Sequence, residues 1–397
     1  MPRPRRQITP AARNPFIIGH HAEGDGFCDR RAEVQRIAAT LRDPSSRMLV
    51  YGDRRLGKSS TIHEAARLVR QEGQPVVVVD LAVASTAPVA AQRILAAVHR
   101  ELGTRWKDLA TRLLSRLRPG AFSLQATTDA QGQPSVTFQV TPSVAARDAP
   151  LVTEVLDAVE AELTARNLTL GLGLDEFQRM GRWYGDDIAW QLKELLERHR
   201  RIAYVLAGSE RALVEQMLKN RKAGLWKVVD VLDMRPIPVG EMARWISARA
   251  TSTGVTLDLI IAAGIVRLAG PRTRDIVQLA RATWDWSRSD GESARDAAEQ
   301  AMEDLVLEQG ALHQRQWDRL TDVTRSILVA LARNAEVQIL AAKTLTDFGL
   351  GPKSTVSSAL DDLVGREVLV RRGQHGGAYN FDDPFFRRWV QISTSTG

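Results

Sequence analysis

The chain has 397 residues, of which 44% are hydrophobic and 25% charged. That balance excludes a wholly disordered, collagen-like or disulfide-built protein and leaves room for about two to four domains. The net charge is +7, and Arg3, Arg5, Arg6 and Arg13, with no acidic residue among them, supply more than half of it, so basicity alone does not set the function.

Cys28 is the only cysteine, which leaves no internal disulfide. The longest apolar runs, such as Val76–Val79 and Leu168–Leu174, fall far short of the roughly 20 residues that span a bilayer. No apolar stretch follows the basic start as a secretory signal would require, so the expectation is a cytoplasmic protein with no membrane partner.

In chain order, residues 1–46 read as a basic leader and one helix, Arg30–Leu41, closed by the turn Asp43-Pro44-Ser45. Apolar runs then alternate with amphipathic segments. The runs are Arg47–Tyr51, Pro75–Ala82, Leu168–Leu174, Ile202–Ala207 and Val228–Met234; the amphipathic segments are Thr61–Gln71, Val89–Arg105, Val152–Arg166 and Ile188–Arg200. Strands alternating with helices predict βαβ units, hence a parallel sheet covered on both faces. Ala121–Thr128 and Ser135–Thr141 flank a polar turn and read as a β-hairpin inserted at about 121–141 into a core spanning 47–240.

Beyond Val239 the pattern is helical, with Glu241–Thr251, Leu257–Leu268, Thr273–Ser287 and Ser293–Leu307 forming a helical segment over 241–312. The last segment, 313–397, reads as helices Thr321–Arg333, Ala341–Phe348 and Ser354–Arg366, then strands Val368–Arg372 and Ala378–Phe381 around a glycine-rich turn. Three helices followed by a two-stranded wing is the winged-helix arrangement. The fold class expected is therefore α/β, a parallel-sheet core followed by a helical lid and a winged helix.

Gly52-Asp53-Arg54-Arg55-Leu56-Gly57-Lys58-Ser59 matches the P-loop pattern at all four defined positions. Gly52 and Gly57 let the backbone turn so that successive N–H groups face phosphate oxygens. Lys58 is placed to reach the β- and γ-phosphates and Ser59 to ligate Mg²⁺; residues 52–60, through Ser60, form the nucleotide cradle, and the helix that begins here adds its positive end. ATP and Mg²⁺ are the cofactors this loop implies.

The strand Leu168–Leu174 ends in Asp175-Glu176, at the carboxyl end of a strand where ligands of open parallel sheets bind. Asp175 suits the Mg²⁺ shell; Glu176 suits activation of the water that attacks the γ-phosphate.

These motifs resemble those of P-loop ATPases of the AAA+ class, in particular the prokaryotic signal-transduction (STAND-like) and archaeal-type ATPases. The resemblance rests on Asn14-Pro15-Phe16, Phe27-Cys28-Asp29-Arg30-Arg31-Ala32-Glu33, the phosphate loop, and Leu174-Asp175-Glu176-Phe177. It implies an ATPase core, a helical lid and a winged helix. By the same resemblance Ser209, after the run Ile202–Ala207, takes a sensor-1 role near the γ-phosphate; its other reading is a cap for a helix over Arg211–Leu218. Arg272 or Arg274 takes a sensor-2 role, and Arg221 that of an arginine finger offered to a neighbouring subunit, which requires an oligomer.

The functional expectation is an Mg-ATP-binding molecular switch with slow hydrolysis, whose nucleotide state controls how lid and winged helix engage DNA or protein. The alternative is a nucleotide-gated DNA-binding regulator or loader resembling origin-recognition-type ATPases, with turnover incidental.

For duplex DNA, Lys353, Ser354, Thr355, Ser357 and Ser358 are candidates for the groove, and Arg371, Arg372 and His375 for the wing; Asp361 and Asp362 on the same helix oppose phosphate. His20, His21, Asp25, Cys28 and Asp29 fit no zinc spacing and are not read as a metal site. The nine tryptophans, several at helical spacing, are read as packing or as a partner-facing surface rather than as base-stacking groups.

Overall fold

Arg47–Tyr51, four buried side chains and a half-buried tyrosine followed by a glycine, forms β1, the strand that delivers the phosphate loop. The computed structural model describes residues 13–19, 24–28, 30–103, 108–128, 134–140, 151–185, 188–209, 225–290, 296–334, 337–372 and 378–395. By contacts the chain divides into two units, Gly19–Pro236, and Ile237–Gly397 together with Met1–Ile18.

In the first unit, β1 is joined by β2 (Val76–Asp80), β5 (Leu170–Asp175), β6 (Ile202–Gly208) and β7 (Asp230–Asp233) in the order β2-β5-β6-β1-β7. All pairings in this sheet are parallel, as the alternation of strands and helices implies. The insert is a separate antiparallel pair, β3 (Phe122–Thr128) and β4 (Pro134–Val140).

The spacing Leu-Gly-Leu-Gly-Leu along β5 has a packing cause. Leu170, Leu172 and Leu174 fill the core shared with helices Ala87–Leu102, Leu151–Ala165 and Ile188–Arg198. The glycine face lies under helices Arg31–Arg42 and Lys58–Gln71: a Cβ at Gly171 would stand 2.9 Å from the Leu41 carbonyl oxygen. A leucine/glycine alternation thus marks a strand buried on both faces with helices pressed unusually close on one of them.

Parallel strands bring their carboxyl ends to one edge. Asp80 pairs in register with Asp175, and Tyr51 with Gly208. The ends of β1, β2, β5 and β6 therefore meet where the P-loop turns into helix Lys58–Gln71.

The second unit holds helices Val239–Thr251, Leu259–Ala269, Thr273–Asp290, Ala297–Glu308 and Gly310–Asp318, then a winged helix. Asn14-Pro15-Phe16 packs here: the Asn14 Nδ2 donates to the Arg281 carbonyl at 3.0 Å, and the Phe16 ring lies edge-on to Trp245 at 5.6 Å. The winged helix consists of Asp322–Arg333, Ala342–Asp347 and Lys353–Gly365, followed by antiparallel β8 (Leu369–Arg372) and β9 (Ala378–Phe381).

The chain continues past β9 into a further helix, Pro384–Thr394, whose Phe386 ring lies edge-on to Phe381 of β9. Asp383 caps it, and Phe386 and Trp389 stack on each other and lie tilted against His313. Trp284 is buried, whereas Trp190 stays half-exposed beneath the Lys193 ammonium. Among the described residues no helix is long and apolar enough to cross a membrane.

Candidate functional site: the phosphate loop and the carboxylates beyond β5

The loop leaves β1 at Gly52, whose φ of 155° and contact with β7 both demand glycine; a Cβ there would sit 2.5 Å from the Met234 carbonyl oxygen. Arg55 takes a left-handed φ of 67° and Gly57 one of 94°, the latter capping helix Lys58–Gln71. Left-handed residues within a loop that opens a helix are the kind of backbone from which anion-binding nests are built. The side chains of Asp53, Arg54 and Arg55 are exposed, Leu56 is buried, and Ser60 is half-buried.

Lys58 is buried, and its ammonium donates to the Gly52 and Asp53 carbonyl oxygens, both at 2.8 Å. Burial pushes its pKa down, against the pull of Glu176 and Asp175. A cation so desolvated, satisfied among the described residues by carbonyls of its own loop, is poised to take a stronger partner such as a phosphate.

The Ser59 hydroxyl donates to Asp175 Oδ2. Asp175 is the last residue of β5, is buried, and has its pKa pushed up, by burial first, opposed by the Ser59 hydrogen bond and reinforced by the charges of Glu176 and Asp80. A hydroxyl and a carboxylate already in contact are hard oxygen donors of the kind Mg²⁺ takes alongside substrate phosphates, so these two residues fit that ion.

Glu176 follows with a φ of 53°, unusual for glutamate. The turn is pinned by the Phe177 N–H to the Ala207 carbonyl at 2.9 Å and by the Glu176 N–H to Asp175 Oδ1 at 2.9 Å. The Glu176 carboxylate accepts at Oε2 from the Ser209 hydroxyl at 2.7 Å and from the Gln178 amide at 2.5 Å.

Gly52, Lys58, Ser59, Asp175, Glu176 and Ser209 therefore meet at one edge of the sheet. Arg272 lies in the other unit, where its guanidinium donates to the Asp382 carbonyl at 2.6 Å and pairs with the Asp382 carboxylate; Arg274 there is exposed. Arg221, His20, His21, Asp29 and the helix expected over Arg211–Leu218 lie outside the described residues.

Two residues at the site carried no role in the sequence reading. Arg30 is buried, and its guanidinium donates to the Leu56 carbonyl at 2.8 Å and the Arg235 carbonyl at 2.9 Å, bracing the loop from behind. Gln178 is the other.

In the winged helix, Lys353, Ser354, Thr355 and Ser358 are exposed, as a partner-facing helix requires. Asp361 and Asp362 are exposed too, but each is engaged, Asp361 with Arg371 and Asp362 with Arg366 at 2.9 Å. The side chains of Arg372 and His375 lie outside the described residues.

The architecture defines the class: a parallel-sheet α/β core of the P-loop ATPase type, helical regions, and a C-terminal winged helix. Residues 311–392 match the family described as "Probable winged helix domain". Among solved structures, the chain is similar to the Walker-type ATPase PABY2304 of Pyrococcus abyssi, at a TM-score of 0.59 and 15% identity over 95% of this chain and 100% of that one. It is also similar to the ORC2 protein of Aeropyrum pernix in its ADPNP–ADP complexes, at a TM-score of 0.54 and 14% identity over 96% and 98% of the two chains. The ORC1 protein of Aeropyrum pernix in complex with DNA gives 0.50 and 15% identity over 93% and 94%. No curated protein matches in sequence.

Proposed function

We propose that this chain is an Mg-ATP-binding molecular switch that hydrolyses ATP slowly, with nucleotide state governing how the lid and winged helix engage a partner. The observation that carries the reading is the convergence at one sheet edge of the P-loop, the Ser59–Asp175 contact and a glutamate held by Ser209.

In this reading the loop N–H groups and Lys58 bind the β- and γ-phosphates, and Ser59 and Asp175 hold Mg²⁺. The ion, when bound, neutralises charge that develops on the phosphate oxygens. Glu176 orients the attacking water and takes its proton, and Ser209 keeps the glutamate in place. Arg272 or Arg274 serves as the lid arginine that senses the γ-phosphate. The segments 1–46, 47–240, 241–312 and 313–397 act as leader, core, lid and winged helix, and the protein is cytoplasmic.

A second reading is favoured by the winged-helix match over 311–392. There the chain is a nucleotide-gated DNA-binding regulator or loader, with helix Lys353–Gly365 on duplex DNA and turnover incidental. The ion pairs of Asp361 and Asp362 reduce the positive charge this face offers to phosphate, which weighs against duplex DNA and for a protein partner.

The two readings part on one titration, ATP turnover of the full chain against duplex DNA at several salt concentrations. The loader reading requires tight nucleotide-dependent DNA binding that weakens steeply with salt. The switch reading requires measurable turnover without DNA.

A further inference from the structure

The carboxylate of Glu176 is held by more than the serine that the sequence singles out. Gln178 stands two residues on, at the start of helix Arg179–Tyr184, and only 2% of its surface is exposed. Its Nε2 lies 2.5 Å from Glu176 Oε2 and 3.4 Å from Ser209 Oγ. An ionised carboxylate has only acceptors, so the group facing it must be the amide NH₂, and the orientation of Gln178 follows from chemistry.

Two donors thus converge on one oxygen of the glutamate. Among the described residues Oε1 accepts no hydrogen bond, so it is the oxygen left for a ligand or a water. The Gln178 Oε1 is itself buried without a hydrogen-bond partner among the described residues. Buried polar atoms left unsatisfied, and residues such as Glu176 held at positive φ, cluster where structure is shaped for chemistry rather than for stability.

We propose that Gln178 is a positioning residue for hydrolysis: with Ser209 it clamps Glu176 Oε2 so that Oε1 faces the attacking water. The inference rests on the ATPase reading given above. A side chain acting this way changes the rate of the chemical step and leaves nucleotide binding alone, because among the described residues its amide bonds to Glu176 and Ser209 and not to the phosphate loop or Lys58.

The test is steady-state hydrolysis and ATP affinity of the full chain and of Gln178→Met, which keeps bulk and loses the donor. The expected result is a kcat lower by about tenfold or more, with KM and affinity within about twofold of wild type. Gln178→Glu supplies a second readout, and serves if Gln178→Met does not fold. It sets a carboxyl against Glu176, so turnover is lost near neutral pH and recovers as the pH falls and the new carboxyl again donates a proton to Oε2.

A purely structural glutamine would show neither the kcat-only loss nor the acid recovery. Turnover of Gln178→Met at or above the wild-type rate overturns this inference and leaves the ATPase reading intact. A wild-type chain that neither binds nor hydrolyses ATP sinks both.

Discussion

Strands β1, β5 and β6 carry a polar cluster at each end, and the two are built on opposite principles. At the amino end, the Arg47 guanidinium donates to the carbonyls of Leu196 at 3.2 Å and His199 at 2.6 Å. His199 bridges the Tyr204 hydroxyl at 2.6 Å and Asp157 at 2.8 Å, and Glu160 accepts the N–H groups of Arg200 and Arg201. The one left-handed residue there outside glycine is Asn167, a type that tolerates it.

At the carboxyl end, among the described residues, Arg55 and Glu176 hold left-handed backbone, Lys58 is buried without a carboxylate hydrogen-bonded to it, and Gln178 leaves an acceptor unsatisfied. The same strands thus end in a saturated network that secures the sheet and in a less saturated one beside the phosphate loop. Within this sheet, the buried acceptor left unsatisfied among the described residues lies at the end that carries the phosphate loop.

Variants at the two ends should therefore fail in opposite ways. The largest expected effect is Lys58→Ala, which removes the cation facing the phosphates. ATP affinity should fall by about 100-fold, or roughly 2.7 kcal/mol, by titration calorimetry. Thermal stability should hold or rise, since a desolvated ammonium is no longer buried.

His199→Ala should do the reverse. It orphans the buried Tyr204 hydroxyl and costs about 2–3 kcal/mol in denaturant unfolding, while ATP affinity stays within about twofold. Equal loss of binding in both variants would erase the distinction.

Acid sharpens the contrast at the amino end. Burial holds the His199 imidazole below its ordinary value of 6.5, against the raising influence of Asp157 and Glu160. The unfolded chain takes up that proton first, so this contribution to stability is complete above about pH 6.5 and is lost as the pH falls below it. His199→Gln should flatten that part of the pH–stability curve. The smallest effect is Asp361→Asn, which breaks an exposed pair and should change stability by less than about 0.5 kcal/mol, a control belonging to neither end.

Much of this was legible in the sequence because it is local. The P-loop spacing, the strand before it and the helix after it lie within about two dozen residues, and period-2 and 3.6-residue patterns locate most of the elements. Three things escaped. Helix Lys58–Gln71 begins earlier than its apolar spacing, because its first turn is set by the loop rather than by packing. Short helices such as Leu109–Arg116 and Arg179–Tyr184 hold too few turns to show a period.

The third was a matter of reach. Arg30 meets Leu56 across 26 residues and Gln178 meets Ser209 across 31, contacts that only the assembled sheet creates. The residue two after the glutamate, on the turn that ends β5, was the one local hint of Gln178.

The central claim is that the carboxyl end of the sheet binds ATP through the loop and hydrolyses it through Glu176. The most direct test compares ATP affinity with single-turnover hydrolysis in wild type and Glu176→Gln, with Mg²⁺ present. The account predicts that Glu176→Gln binds ATP as tightly as wild type and hydrolyses it at least about 100-fold more slowly. Wild-type turnover in Glu176→Gln, or a wild-type chain that binds no ATP, would contradict it.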